Sequence, residues 1–332
     1  MLPFYAQGGP VAPLLLLLAA LLIDGLIGDP LWLWRWLPHP VRIIGRTVGF
    51  LDAKLNRPHR SALDRRLRGA AVALTLAGIA VAAGVGVTEL RRQTDWGWGL
   101  EIVLTWTLLA QKSLFQHVHA VADGLKRGGV AGGRWAVARI VGRDPDSLDE
   151  HGVARAAIES CAENFADGVV APVFWYVIFG FPGILLYKTA NTMDSMIGHL
   201  DERHKDFGMI AARMDDILNL IPARLAGFLL AFASLFLPGG HPIKAWLVMW
   251  RDHGNHRSPN SGWPEGAMAG ALDLALAGPR KYPGYVAQEK WIGAGRARAG
   301  IGDIHRALFI LVIACLLNAG LVILCLVLEY LK

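Results

Sequence analysis

The sequence predicts an all-α fold: a polytopic helical membrane protein with cytoplasmic connecting loops, in which one apolar segment is open to being re-entrant. Three observations predict it. Hydrophobic residues make up 54% of the chain and charged residues only 18%, where a soluble protein carries about 25% charged residues. The apolar residues gather into six runs, several near the roughly 20 residues that a helix needs to cross a bilayer. The charged residues gather between those runs. One integral membrane domain over 1–332 is expected, not a string of soluble domains.

The runs justify themselves in order. Run one, 14–27, is interrupted only by Asp24 and Gly25 and predicts a span near 13–28. No basic segment precedes it and no small-x-small site follows it, so it is expected to stay rather than be cleaved. Run two, 69–88, is rich in Ala, Val and Gly and predicts a span near 69–89. Run three, 100–115, is short; it predicts either a span near 100–116 or a buried, partly inserted helix. Run four, 168–187, is broken by Gly180, Pro182 and Gly183. Run five, 217–237, contains Pro222 and Arg224, and run six, 308–328, is the longest and cleanest, predicting a span near 307–329.

The formal charge of +6 is uneven. Segment 29–68 holds nine Arg or Lys against three Asp, and 238–305 is also basic on balance. The positive-inside rule makes 29–68, 117–167 and 238–305 cytoplasmic and the N-terminus external. Segment 188–216 is external if run four spans and internal if it is re-entrant. An anionic phospholipid surface accounts for much of the charge, and no nucleic-acid motif is present. The three cysteines form no C-x-x-C pair, so neither a zinc site nor a disulfide framework is expected.

Five polar constellations lie between the runs. Gly28-Asp29-Pro30 and His39-Pro40-Val41-Arg42 predict a rigid turn presenting His39 and Arg42 at the membrane surface, since Pro40 biases His39 to extended backbone; a plain connecting turn is the simpler alternative. Arg155, Glu159 and Glu163 follow at i, i+4 on one helix face, ahead of Asn164 and Asp167. Like charges at that spacing cost a few tenths of a kcal/mol, so the pair suggests a shared cation, proton or Arg; otherwise it is a solvated acidic face. Asn191, Asp194 and Ser195 lie within one turn of one another. Arg213, Asp215, Asp216 and Asn219 precede Pro222 and Arg224, and helix-dipole charge is the simpler reading of the two aspartates. Oxygen donors without Cys suit magnesium rather than zinc, with neighbouring Arg to meet phosphate. Last, His256-Arg257-Ser258-Pro259-Asn260-Ser261-Gly262 and Glu265 form a donor-rich stretch of turn formers. It reads as a binding loop, or else as a flexible connector. No Walker-type or G-x-G-x-x-G phosphate motif occurs.

In this order the motifs resemble the adenosylcobinamide-phosphate synthase family of cobalamin biosynthesis, also called CbiB or CobD. The resemblance rests on Gly28-Asp29-Pro30, His39-Pro40-Val41-Arg42, Arg155 to Asn164, Asp167 to Pro172, Asn191 to Met196, Ala212 to Asp216, Pro222-Ala-Arg224-Leu and Ser258 to Gly262, covering most of the chain from 24 to about 300. Cys161 and Phe165 are mild departures. The resemblance implies an ATP- and magnesium-dependent ligase, multi-pass in the cell inner membrane. It would join adenosylcobyric acid to aminopropanol or its phosphate through an amide. It implies Asp194, Asp215 and Asp216 near magnesium; Asn191, Ser195, Arg213, Asn219 and Arg224 near the nucleotide; and Glu159, Glu163, Asn164 and Asp167 in catalysis. His39, Arg42, His256, Ser258, Asn260 and Glu265 would bind substrate, the last four in a mobile loop, 251–266, over a membrane-surface cavity. Partners implied are the two small-molecule substrates and the lipid bilayer, with no nucleic acid; a homo-oligomer or a complex with other cobalamin-assembly enzymes stays open. Cytoplasmic ATP would require 188–216 to face the side of 29–68.

Other classes remain. A related membrane sensor, similar to the ampicillin-resistance regulatory proteins, would keep the fold and lose the acidic motifs. A transporter would need ionisable groups within its spans, where only Asp24, Arg224 and the Gly-Pro break come close. A prenyltransferase would space its aspartates differently.

Overall fold

The computed structural model describes residues 11–30, 33–36, 38–142, 144–282, 285–287 and 290–331; the expected external placement of the N-terminus rests on residues outside these. The helices are α1 (Pro13–Leu26), α2 (Pro40–Leu55), α3 (Ala62–Gln93), α4 (Gly97–Trp106), α5 (Gln111–Val137), α6 (Glu150–Phe165), α7 (Ala171–Ile197), α8 (Met209–Ala233), α9 (Pro242–Asp252), α10 (Gly262–Leu272) and α11 (Ile301–Tyr330). A π-turn, Ala166–Val170, joins α6 to α7. Among the described residues four strands of two or three residues form two small antiparallel ladders between α10 and α11.

The fold is all-α and multi-pass. Among the described residues four helical runs are long and apolar enough to cross a membrane: Ala62–Gln93, Glu150–Ile197, Met209–Phe236 and Ile301–Tyr330. α1 is apolar but shorter. The run at 100–116 is divided, since α4 stops at Trp106 and α5 starts at Gln111. Ten residues of α4 rise only about 15 Å, half a hydrocarbon core.

Local chemistry sets the helix starts. The His39 ring Nδ1 accepts the Val41 N–H at 3.2 Å and Pro40 occupies the first helical position of α2, where its missing N–H costs nothing. Ser61 caps α3 by accepting the Asp64 N–H, and Asp149 caps α6 by accepting that of Gly152.

The helices group into two compact units. The first comprises 1–110, 171–219 and 322–332. In it α7 breaks at Gly180, whose φ of +65° is open to glycine at little cost. Residues eight apart in a straight helix are separated by about 12 Å, yet a Cβ on Gly183 would stand 2.2 Å from the Trp175 carbonyl. The chain therefore turns a sharp corner there. The arm after the corner runs back along α3: Pro182 lies against Gly84, and the Phe207 carbonyl lies against Gly69. Loop 198–208 is stapled to the start of α3. Asn56 donates to the Arg203 carbonyl at 2.9 Å, Arg65 to that of Glu202 at 2.9 Å, and Arg66 pairs with Asp206 at 2.8 Å. Loop 198–208 and residues 52–69 thus occupy one end of α3 and the Gly180 corner lies toward the other.

The second unit comprises 111–170 and 220–321. Its core includes Val118, Ile158, Phe165, Leu230 and Met268. Every residue of α10 is buried. Gly262, Gly266 and Gly270 form a stripe on α10 facing the His253 carbonyl, the Met249 Cα and the Lys244 carbonyl, so α9 lies backbone to backbone against it. This corrects the expectation of a mobile, turn-rich loop over 251–266. Turn formers were counted as loop, but three glycines at i, i+4, i+8 serve close helix contact here, and only 253–261 is left between α9 and α10.

Candidate functional site

The expected site residues fall into two clusters, one in each unit. In the first unit, α7 after its corner and the opening turns of α8 build a buried polar network. The Asn191 amide donates to Asp215 Oδ1 at 3.2 Å and the Asn219 amide to Asp215 Oδ2 at 3.0 Å. The Tyr187 hydroxyl donates to Asn219 Oδ1 at 3.0 Å. Tyr187, Asp215 and Asn219 are 0%, 8% and 1% exposed, so this carboxylate is held by protein donors rather than by bulk water. Asp216, one residue on, is partly exposed and faces Arg213 at 3.8 Å. Asp194 folds against Gly198, where a Cβ would meet its Oδ1 at 1.9 Å. The Ser195 hydroxyl donates to the Asn191 carbonyl at 2.8 Å. Helix geometry explains the grouping: Tyr187, Asn191 and Asp194 share a face of α7.

Trp106 donates to the Gly28 carbonyl at 3.0 Å. His39 stands 3.5 Å from Asp29 and packs edge-on to Trp34. Arg42 is exposed on α2.

In the second unit, α6 presents its acidic face to the segment around α10. Glu159 is buried and accepts the Ala277 N–H at 2.8 Å. Glu163 accepts from the Ser261 hydroxyl at 2.9 Å. Arg155 bonds to the Ala297 carbonyl and lies over Trp291. Asn164 turns back to Ser160, donating to its carbonyl and its hydroxyl at 2.8 and 2.9 Å. Asp167 is partly exposed in the π-turn. Segment 256–261 is an ordered turn: Ser258 N–H donates to His256 Nδ1 at 3.0 Å, and the Asn260 N–H to Ser258 Oγ at 3.2 Å. Glu265, expected at a loop end, lies in the first turn of α10, 1% exposed, with His256 Nε2 3.6 Å away.

Several residues join this cluster that sequence reasoning missed. Trp263 carries the Arg224 guanidinium 4.7 Å above its ring, the His253 ring stacked at 4.1 Å and the edge of Trp250 at 4.9 Å. Burial, and then the Arg224 charge, hold His253 below the usual imidazole range. Asp252 accepts from Arg251 and from the Gly293 N–H, and both lower its carboxyl below the usual range, Arg251 the more. Tyr187 was findable, one turn before Asn191. Trp263 had only its place between Asn260 and Glu265 to mark it.

Two cavities lie elsewhere. One of about 120 Å³ adjoins Arg91, Glu101 and the Gly180 corner. The other, about 550 Å³, lies between Asn56, Arg57, Arg65 and Arg203. Neither is lined by an expected site residue. Among the described residues no three His, Cys, Asp or Glu side chains converge on one point that would hold an ion. The oxygen donors around Asp215 and Asp216 nonetheless fit magnesium, which commonly takes one or two carboxylates and completes its shell with water and phosphate.

The comparisons with known proteins agree along the chain. Residues 17–311 match the family model described as CobD/Cbib protein. A protein of Sinorhizobium named cobalamin biosynthesis protein CobD is 51% identical over 93% of this chain and 97% of its own length. Proteins of the same name from Rhizobium meliloti and Rhodobacter capsulatus are 50% and 45% identical, over 91% and 88% of this chain and 93% and 91% of their own lengths. No solved structure matches. With a family model spanning most of its length and relatives of this identity, the chain belongs to the CobD/CbiB family of cobalamin biosynthesis proteins.

Proposed function

We propose that this protein is a carboxylate–amine ligase of the cell inner membrane. It would join the free propionate of adenosylcobyric acid to aminopropanol or its phosphate, at the expense of ATP and with magnesium. The observation that carries the reading is the part-buried contact between segments about 100 residues apart: Ser261 on Glu163, near His256 and the buried Glu265. Bringing carboxylates and a histidine together has a desolvation cost, and a substrate site is a use that would repay it.

A carboxylate is a poor electrophile and needs activation, most simply as an acyl phosphate. Arg213, with Asn191 and Ser195, is suited to the nucleotide phosphates, and Arg224 and Arg42 to phosphate or carboxylate groups; Asn219, enclosed between Asp215 and Tyr187, positions Asp215 instead of touching the nucleotide. Asp194, Asp215 and Asp216 would hold magnesium, which when bound neutralises charge on the transferring phosphoryl group. Glu159 is occupied by the Ala277 N–H, whereas Glu163 keeps partial exposure. Glu163 is therefore the better base to accept a proton from the attacking amine. His256, Ser258, Asn260 and Glu265 suit a corrin edged with amides, Asn164 and Asp167 flank the base, and His39 would steady the substrate at the membrane surface.

The test is direct. The protein in nanodiscs is given adenosylcobyric acid, ATP and magnesium with aminopropanol or its phosphate, and the corrinoid is read by mass spectrometry. An amide-linked product that needs both ATP and amine is expected. No product with either amine would overturn the proposal.

A further inference from the structure

The second unit carries a helix that is apolar on two opposite faces, only one of which the protein covers. On α9, Ala245, Val248, Met249 and Asp252 are buried against α10. On the other side Ile243, Trp246, Leu247 and Trp250 are 76%, 48%, 60% and 49% exposed. At about 100° per residue these four fall within an arc of about 100°, so they make one continuous apolar stripe. Lys244 and Arg251 fall together on a single flank between the two faces.

We infer that α9 is an interfacial helix, lying in the plane of the bilayer with the Ile243–Trp246–Leu247–Trp250 stripe in lipid. Its 11 residues rise only about 16 Å, too little to cross. The lipid-facing surface is continuous with it. Phe232, Leu235 and Phe236, at the end of the apolar run Met209–Phe236, are 53%, 55% and 54% exposed. Trp246 stacks on Phe228 of that same run at 5.2 Å, and Trp250 follows Trp246 at 6.1 Å. Five residues, 237–241, separate the run from α9, which holds α9 at the level where the run leaves the bilayer. Tryptophan is favoured at that depth, and the flank residues Lys244 and Arg251 are paired with Asp273 and Asp252, which leaves the stripe itself free of charge. Segment 238–305, taken from its charge to be a cytoplasmic connector, is thereby anchored at its start. The Trp250–Trp263–His253 stack, and with it the turn at 256–261, hangs directly from the anchored helix.

The experiment uses the full chain in nanodiscs, with Cys315 and Cys325 replaced by Ala, Cys161 being buried. An environment-sensitive fluorophore is placed on Leu247→Cys and, as control, on Lys290→Cys, an exposed position outside α9. Ile243→Cys is a second probe on the stripe should Leu247→Cys fail to accumulate. The stripe label is expected to emit to the blue of the control, to be quenched by lipids brominated near the headgroup, and to resist aqueous iodide; the control is expected to do the reverse. Iodide quenching of the stripe label equal to the control would make this face solvated and overturn the inference. Shielding from both quenchers would place another protein copy on it, and would overturn it too. Neither result bears on ligase activity.

Discussion

Asn219 is the keystone of the network on Asp215, and its removal has a size that can be worked out. Asn219→Ala deletes two hydrogen bonds, the amide to Asp215 and the acceptor for Tyr187, both at 3.0 Å. At 1% exposure, water does not freely replace them. A hydrogen bond between neutral groups contributes about 1 kcal/mol and one to a charged group about 1.5–3 kcal/mol, so the loss is about 2.5–4 kcal/mol. Tyr187→Phe removes only the neutral bond and should cost about 1 kcal/mol. With about 2 °C of melting temperature per kcal/mol for a chain of this size, Asn219→Ala should melt about 5–8 °C lower and Tyr187→Phe about 2 °C lower. Far-ultraviolet circular dichroism, which reads the helices of both units, follows the melting. If Asn219→Ala melts with the parent, or Tyr187→Phe melts lower than Asn219→Ala, the network does not hold Asp215 as described.

Four further outcomes are expected. Asp194→Asn and Asp216→Asn should abolish turnover while the protein inserts normally; full turnover in both would remove the magnesium assignment. Glu163→Gln should lower turnover about 10²-fold or more, as loss of a general base does, with the melting temperature nearly unchanged, and turnover near the parent's would return Glu163 to a structural role. The Asp252 carboxyl lies below its ordinary value in the folded chain, so its contribution to stability is present above the unfolded value of about 3.9 and is lost as pH falls through the folded value. Asp252→Asn should therefore flatten the fall in melting temperature seen on acidification below about pH 4; an unchanged acid limb would show that other groups cause it. Gly266→Leu should prevent accumulation of folded protein, because even a Cβ there stands 2.9 Å from the Met249 Cα, and normal yield with a native melting temperature would show that α9 can step aside.

The membrane class was legible because mean apolarity and run length are sums over many residues, and single exceptions do not disturb them. The corner at Gly180 was signalled by Gly180, Pro182 and Gly183 together, since glycine and proline act locally on the backbone. The split of 100–116 was hidden: Thr107 to Ala110 are as apolar or neutral as their neighbours, and tertiary packing ends α4 there. The acidic and amide residues of both clusters were readable as helical spacings, Asn191 with Asp194 and Asp215 with Asn219. What joins Glu163 to Ser261, or Arg224 to Trp263, is contact across 98 and 39 positions of chain, and no local pattern encodes such a contact. Turn-forming composition misled at Gly262 to Gly270, because glycine serves tight helix packing as readily as turns.

The corner at Gly180 also constrains how the chain can enter the membrane during synthesis. Hydropathy offers the insertion machinery one apolar run from 168 to 187, but the folded chain divides it between two arms that meet at a single residue. A break of this kind at membrane depth is tolerated only against protein or a polar cavity. The seat for it is Gly84 of α3, which receives Pro182 and is made about 100 residues earlier. α7 therefore completes its fold against a helix already in place. A bulky residue at Gly84 would leave α3 free to insert, and would expose its fault only when α7 arrived with nowhere to turn.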